Sequence, residues 1–189
     1  LAGALGWSFG PLMLVTVPAA MLIGLAIERF FIRPMLGEPL FSIVMVTIGL
    51  AVIVRGVVAL VWGTQPVDFT AGFSNEVFRF GSVPFYEVQL YALFALAFLT
   101  LGAWGFFRYS RMGIAMRATA NNDTAALLMG IPVARVHALA WSLAAGISAV
   151  VGVLFSAMFN LGPDLWFQGL KAFPAVIVGG LDSVLGAAL

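Results

Sequence analysis

The chain has no cysteine and one histidine, His137, in 189 residues. Absence of cysteine excludes disulfides, thiolate metal sites and cysteine nucleophiles. One histidine excludes a His-rich metal centre. Charge is also scarce: 9% of residues are Asp, Glu, Lys or Arg, where a soluble domain carries about 25%. A net charge of +1 gives no footing for nucleic acid. There is no GxxxxGK(S/T) phosphate loop, no Ser/His/Asp set, no carboxylate pair and no metal-ligand spacing. No catalytic residue, metal or cofactor is therefore expected in the chain. An initiator Met and a signal-peptide n-region are missing as well. The chain opens at Leu1 and closes in an apolar run, VIVGGLDSVLGAAL. It is expected to be an internal piece of a longer membrane protein.

What the chain has instead is apolar length: 62% of its residues are hydrophobic. Crossing a bilayer takes about 20 mostly apolar residues in a helix. Stretches 11–27, 40–62, 88–107 and 136–158 meet that demand, and a fifth begins near Ala172. The expected fold is all-α, a polytopic transmembrane bundle of about five spans forming one domain over 1–189. Trp7, Phe30, Phe31, Trp62, Tyr86, Tyr91, Trp104, Tyr109, Trp141 and Trp166 lie near the span ends, as interfacial belts do.

The connections alternate in charge. Residues 28–39 carry Arg29 and Arg33, and 108–135 carry Arg108, Arg111, Arg117 and Arg135 against Asp123. Residues 63–87 set Arg79 against Asp68, Glu76 and Glu87, and 159–171 hold Lys171 and Asp164. The positive-inside rule places 28–39 and 108–135 in the cytoplasm and 63–87 outside. Aromatics, Gly and Pro in 63–87 suit an ordered cap or a short hairpin.

Polar residues inside the spans are few. Arg55 interrupts IGLAVIVRGVVALVW about 10 Å short of Trp62, at 1.5 Å per residue. Such a residue either lines a pathway or snorkels to the headgroups. Thr47 and Gly49 could share its face. Asp182, after Gly179 and Gly180, either marks a broken helix at a binding site or caps a helix starting at Ser183. His137 is expected at the interface. In the fourth span Ala140, Ala144, Ser148, Gly152 and Ser156 recur at steps of four, a spacing that lets helix backbones approach closely.

The most unusual stretch is RMGIAMRATANNDTAALLMGIP, residues 111–132. Asn121, Asn122 and Asp123 offer caps, TAALLM favours a helix, and Gly130 followed by Pro132 ends it. Two short helices are predicted, about 113–120 and 124–129. Leu127, Leu128 and Met129 would then be exposed and would need a partner. That partner is either the lipid surface, where Arg117 would meet anionic headgroups, or another protein.

TAALLMG is similar to the cytoplasmic loop of ABC-importer permeases, with Ala125, Ala126 and Gly130 in register and Thr124 where that pattern has Glu. In order with it come ERFFIRPMLGEP, SRMGIAMRATANNDTAALLMGIPVARV and GLKAFPAVIVGGLDSVLGA. From about Pro11 to Leu189 the chain resembles the permease family of branched-chain amino acid ABC importers, most closely the paralogue with RMGxAxRA and GxKAF segments. The resemblance implies a subunit without covalent chemistry, in a bacterial or archaeal cytoplasmic membrane. Its partners would be a sibling permease, cytoplasmic ATPase subunits that bind the ATP, and an extracytoplasmic substrate-binding protein. It assigns ATPase coupling to Arg117, Thr124, Ala125, Ala126 and Gly130. Relatives of this architecture carry urea, short amides or sugars, so these are alternative substrates. A self-contained facilitator, a channel or a scaffold is the alternative of another class. Such a protein would have no use for a docking helix at 111–132.

Overall fold

A bilayer core offers no water to backbone N–H and C=O groups, so each span must satisfy them internally as helix. The computed structural model describes residues 9–66, 77–80, 83–159, 162 and 165–179. Its helices are α1 (Phe9–Ile27), α2 (Leu40–Trp62), α3 (Glu87–Tyr109), α4 (Arg111–Asn121), α5 (Asp123–Leu128), α6 (Val133–Phe159) and α7 (Leu165–Gly179). Among the described residues, four helical segments are long and apolar enough to span a membrane: Phe9–Met35, Phe41–Trp62, Val88–Tyr109 and Val133–Phe159. They match the four spans expected from hydropathy, and the chain is a multi-pass membrane protein. Ahead of α3 stands a hairpin of β1 (Val77–Phe80) and β2 (Val83–Tyr86), paired antiparallel from Val77↔Tyr86 to Phe80↔Val83. The short hairpin expected in 63–87 is thus present. Gln89 Oε1 accepts the Tyr86 N–H at 3.2 Å and caps the start of α3.

The closest helix pair is α1 with α6. Leu12 and Val153 are buried together, with Phe9, Met13 and Ala157 around them. At the other end Gly24 meets Trp141 and Ala145, so the two helices run antiparallel. A methyl on Gly24 would lie 2.6 Å from the Trp141 carbonyl oxygen and 2.7 Å from Ala145 Cβ. One on Gly146 would come within 2.9 Å of Met21 Cγ. Two glycines, one per helix, therefore set the interaxial distance, as small residues do where lipid gives helices no hydrophobic reason to associate.

The step-of-four stripe of α6 divides between two surroundings. Ala140, Ala144 and Ser148 are exposed within this chain and a side chain at Gly152 would touch nothing within 4 Å, whereas Ser156 is buried. Ser142, Gly146, Val153 and Leu154 are buried as well. Helical geometry explains the division. At 3.6 residues per turn, each step of four advances about 40°, so Ala140 and Ser156 lie about 160° apart. A stripe of that length winds off any single face.

Residues 28–39 are also more ordered than a loop. Beyond α1 the chain continues through a π turn, Glu28–Ile32, and a 3-10 turn, Arg33–Met35. Gly37, at φ +97°, then turns it toward α2. Glu28 is 1% exposed, the largest fully buried side chain among the described residues. Arg33 Nε and Nη2 donate to its two carboxylate oxygens, each at 3.1 Å. In an α-helix, residues five apart point about 140° away from each other. The wider π turn brings them to one side, and the Arg33 backbone N–H donates to the Glu28 carbonyl across it. Arg33 is itself about a third exposed, so the pair is partly solvated and Glu28 is the side that depends on it.

The last helix also departs from expectation. It starts at Leu165, before Ala172, and carries Lys171 and Pro174 inside it. One lysine and one proline do not stop a helix whose first turn is Leu-Trp-Phe, and membrane helices tolerate internal proline. Asp182 and residues 180–189 lie outside the described residues.

The glycine contact makes a graded prediction. Gly24→Ala should destabilise the protein in detergent by about 1–3 kcal/mol because a rigid carbonyl blocks the methyl. Gly146→Ala should cost less, since the flexible Met21 can yield, and Gly49→Ala should be neutral because its surroundings are open. Thermal unfolding monitored by circular dichroism would rank the three.

Candidate functional site

Residues 110–136 form a continuous, heavily capped structure at the junction of α3 and α6. Ser110 is the N-cap of α4, its Oγ accepting the Gly113 N–H at 2.8 Å. A Cβ on Gly113 would collide with the Phe106 carbonyl oxygen. Only glycine permits α4 to fold back so tightly on the end of α3. Gly113, Met116 and Thr119 make up the buried face of α4 at steps of three, while Arg111, Ile114 and Arg117 are exposed. The end of α3 is held by Arg108, whose guanidinium lies over Trp104 (5.5 Å) and Tyr109 (5.9 Å).

Asn122 joins the two short helices. Its backbone N–H donates to the Ala118 carbonyl, closing α4. Its Oδ1 accepts the Ala125 N–H at 2.9 Å, opening α5. An Asn in extended backbone can do both, and such a cap contributes about 1 kcal/mol. Asp123 in the first turn of α5 complements the helix dipole. At the far end Gly130, at φ +83°, donates to the Leu127 carbonyl, and Ile131 donates to the Ala126 carbonyl. This pair of bonds is a Schellman motif, and its left-handed residue favours glycine. Pro132 follows, and its carbonyl accepts the first N–H groups of α6 from Arg135 and Val136. The boundaries Arg111–Asn121 and Asp123–Leu128 match the two helices expected from caps and breakers.

This scaffold presents an apolar tip. Leu128 and Met129 are 83% and 84% exposed, with Leu127 beside them. Thr124, Ala125 and Arg117 are exposed as well. Ala126 is not: it is 4% exposed, the one buried residue of α5. It seats the helix on its own chain, so it cannot be a contact surface for a second protein. Gly130 likewise acts through its backbone. Of the five coupling candidates, Arg117, Thr124, Ala125 and Gly130 are accessible and Ala126 is not, and the Leu127–Met129 tip expected to be exposed lies beside them. His137, half-buried on α6, sets Nε2 3.7 Å from Asp123 Oδ2 on α5. That distance exceeds a hydrogen bond, and the buried His137 Nε2 has no hydrogen-bond partner among the described residues.

The candidates in the spans do not form one site. Thr47 Oγ1 donates to the Val44 carbonyl of its own helix at 2.8 Å. Arg55 lies eight positions further, rotated by about 80° and raised by about 12 Å. It reaches across to α7, with its guanidinium carbon 5.3 Å from the centre of the Trp166 ring. Gly49 is exposed and touches no neighbour that a side chain would meet.

Comparison with known proteins bears on this arrangement. The family model described as the branched-chain amino acid transport system permease component matches residues 1–189. The chain belongs to that permease family. The high-affinity branched-chain amino acid transport permease LivH of Salmonella typhimurium is 34% identical over 173 residues, covering 87% of this chain and 55% of that protein. The corresponding BraD of Pseudomonas aeruginosa is 29% identical over 205 residues, all of this chain and 65% of its own. The xylose/arabinose import permease XylH of Sulfolobus acidocaldarius is 31% identical over 157 residues, 76% of this chain and 41% of its own. The chain thus spans about half the length of the LivH relative it matches. No solved structure matches it.

Within this permease the loop's stability and its surface can be separated. Ala126→Glu should open the loop and speed trypsin cleavage after Arg117, because it forces a charge into a buried seat. Asn122→Ala should do the same more weakly, at about 1 kcal/mol. Leu128→Glu should leave the cleavage rate unchanged, since its side chain rests in solvent. Timed digestion of purified membranes reads all three.

Proposed function

We propose that this permease is a membrane-spanning subunit of an ATP-driven importer of branched-chain amino acids. The observation that carries the reading is the capped, rigid 111–132 loop that displays an apolar tip it does not bury. An exposed Leu-Leu-Met tip on a short helix suits insertion into a groove of a second protein. A cytoplasmic ATPase is the partner that turns such docking into motion. Because α5 is seated through Ala126 and faces α6 through Asp123 and His137, a push on the tip would travel into α6 and from there into α1. Family membership and the LivH and BraD relatives support the transport role and the substrate class.

The rest of the assembly follows from the same reading. A sibling permease pairs with this one, and ATPase subunits bind and hydrolyse the ATP. A binding protein delivers the amino acid to the outer face, the side to which the charge pattern assigns 63–87. The Arg-bearing segments 28–39 and 108–135 face the cytoplasm of the inner membrane. Import of a sugar is the second reading, favoured by the XylH relative. A self-contained facilitator or channel leaves the exposed tip without a purpose.

Leu128→Glu with Met129→Glu should leave the protein in the membrane and abolish both ATPase co-purification and leucine uptake in cells. ATPase recovery equal to wild type would remove the docking role. Competition of labelled leucine uptake by isoleucine and valine, but not by xylose, would settle the substrate class in favour of amino acids.

A further inference from the structure

Arg55 is the residue that the coupling reading leaves unused. Among the described residues it makes no hydrogen bond and no ion pair. Its partner among the described residues is the Trp166 ring of α7, 5.3 Å from the guanidinium carbon, well within cation–π range. That contact uses the π face of the indole and none of the five guanidinium N–H donors.

Arg55 does not follow its own helix to Trp62; it crosses to Trp166 in the first turn of α7 (Leu165–Gly179), near a helix end. An aromatic seat also fixes the long side chain, so less freedom is lost when a ligand arrives. A charge held about 10 Å inside a span at a cost of about 2.5–3.5 kcal/mol marks a place where an anion is met. Lys171 is the other cation of α7, but at about 140° from Trp166 around that helix it stands apart from the stack.

We infer that Arg55, seated on Trp166, receives the carboxylate of the transported amino acid within the membrane. This rests on the amino acid importer reading above. Branched-chain amino acids differ in their side chains and share the carboxylate, so a point of recognition common to all of them must read that group. The guanidinium fork fits a carboxylate with two parallel N–H···O bonds, and a sugar offers nothing equivalent. Trp166 is a positioning residue that holds the fork ready.

The phosphate of an outer-leaflet lipid could offer the same chemistry, and the experiment separates the two sources. The full transporter, with its sibling, ATPase and binding protein, is reconstituted in phosphatidylethanolamine–phosphatidylglycerol vesicles, and labelled leucine uptake is followed. Arg55→Gln should lower uptake about 10- to 100-fold while the ATPase still co-purifies. Arg55→Lys, which keeps the charge and loses the fork, should recover part of it. Arg55→Gln with wild-type uptake assigns the guanidinium to lipid and overturns the proposal. If Arg55→Gln does not assemble, the Trp166 pair decides. Trp166→Ala should lose about three- to tenfold and Trp166→Phe, which keeps a π face, distinctly less. Equal behaviour of those two overturns the stacking role and the site built on it. A wild-type transporter that imports xylose but no leucine would overturn the substrate reading itself, a result distinct from either variant outcome.

Discussion

Gly24 lies so close to the Trp141 carbonyl that no side chain fits between them, and the described structure hangs on that approach. In lipid, apolar side chains gain nothing by leaving the solvent, so close van der Waals contact must hold helices together. Glycine supplies it by removing the atoms that would hold the backbones apart. With α1 fixed against α6, the buried Glu28 is brought to the end of the pair, and α6 in turn anchors the loop that precedes it. By contrast α2 has no buried residue among those described, and its Arg55 stacks on Trp166 of α7.

The charges collect at one end of the α1–α6 pair. The register that sets Leu12 by Val153 and Gly24 by Trp141 brings Glu28 level with His137. Glu28 is satisfied by Arg33 through the π turn, and His137 faces Asp123 of α5. Polar contacts at this boundary therefore tie α1 to its own following turn and α6 to the loop. Capping closes the system: Ser110, Asn122 and Gly130 supply partners for backbone groups that helix ends leave open. The loop is thereby held in one shape, and Leu128 and Met129 are its most exposed apolar side chains among the described residues.

Much of this was legible because membrane physics acts locally. Apolar run length located the four spans, and caps and breakers located α4 and α5 nearly to the residue. Aromatics with Gly and Pro pointed to the hairpin. What escaped notice depends on rotation and depth. Small residues recur every four positions along α6, but that period precesses around a helix of 3.6 residues per turn, so of that stripe only Ser156 is buried within this chain. Glu28 and Arg33 are five apart, a spacing that signals contact only in a π turn. Ala126 was grouped with accessible neighbours because motif spacing does not say which side of a short helix rests on the rest of the chain. The early start of α7 was hidden by Lys171, a single charge that apolar neighbours outweigh.

The central claim is that the tip of α5 enters an ATPase that this chain lacks. Since the chain has no cysteine, a single Cys placed at Leu128 gives one reactive thiol in the permease. In the assembled transporter, a short thiol-to-amine cross-linker at that position should join the permease to the ATPase, and the thiol should react with impermeant reagents only from the cytoplasmic side. Labelling from the outer face, or a cross-link that never includes the ATPase, would contradict the account.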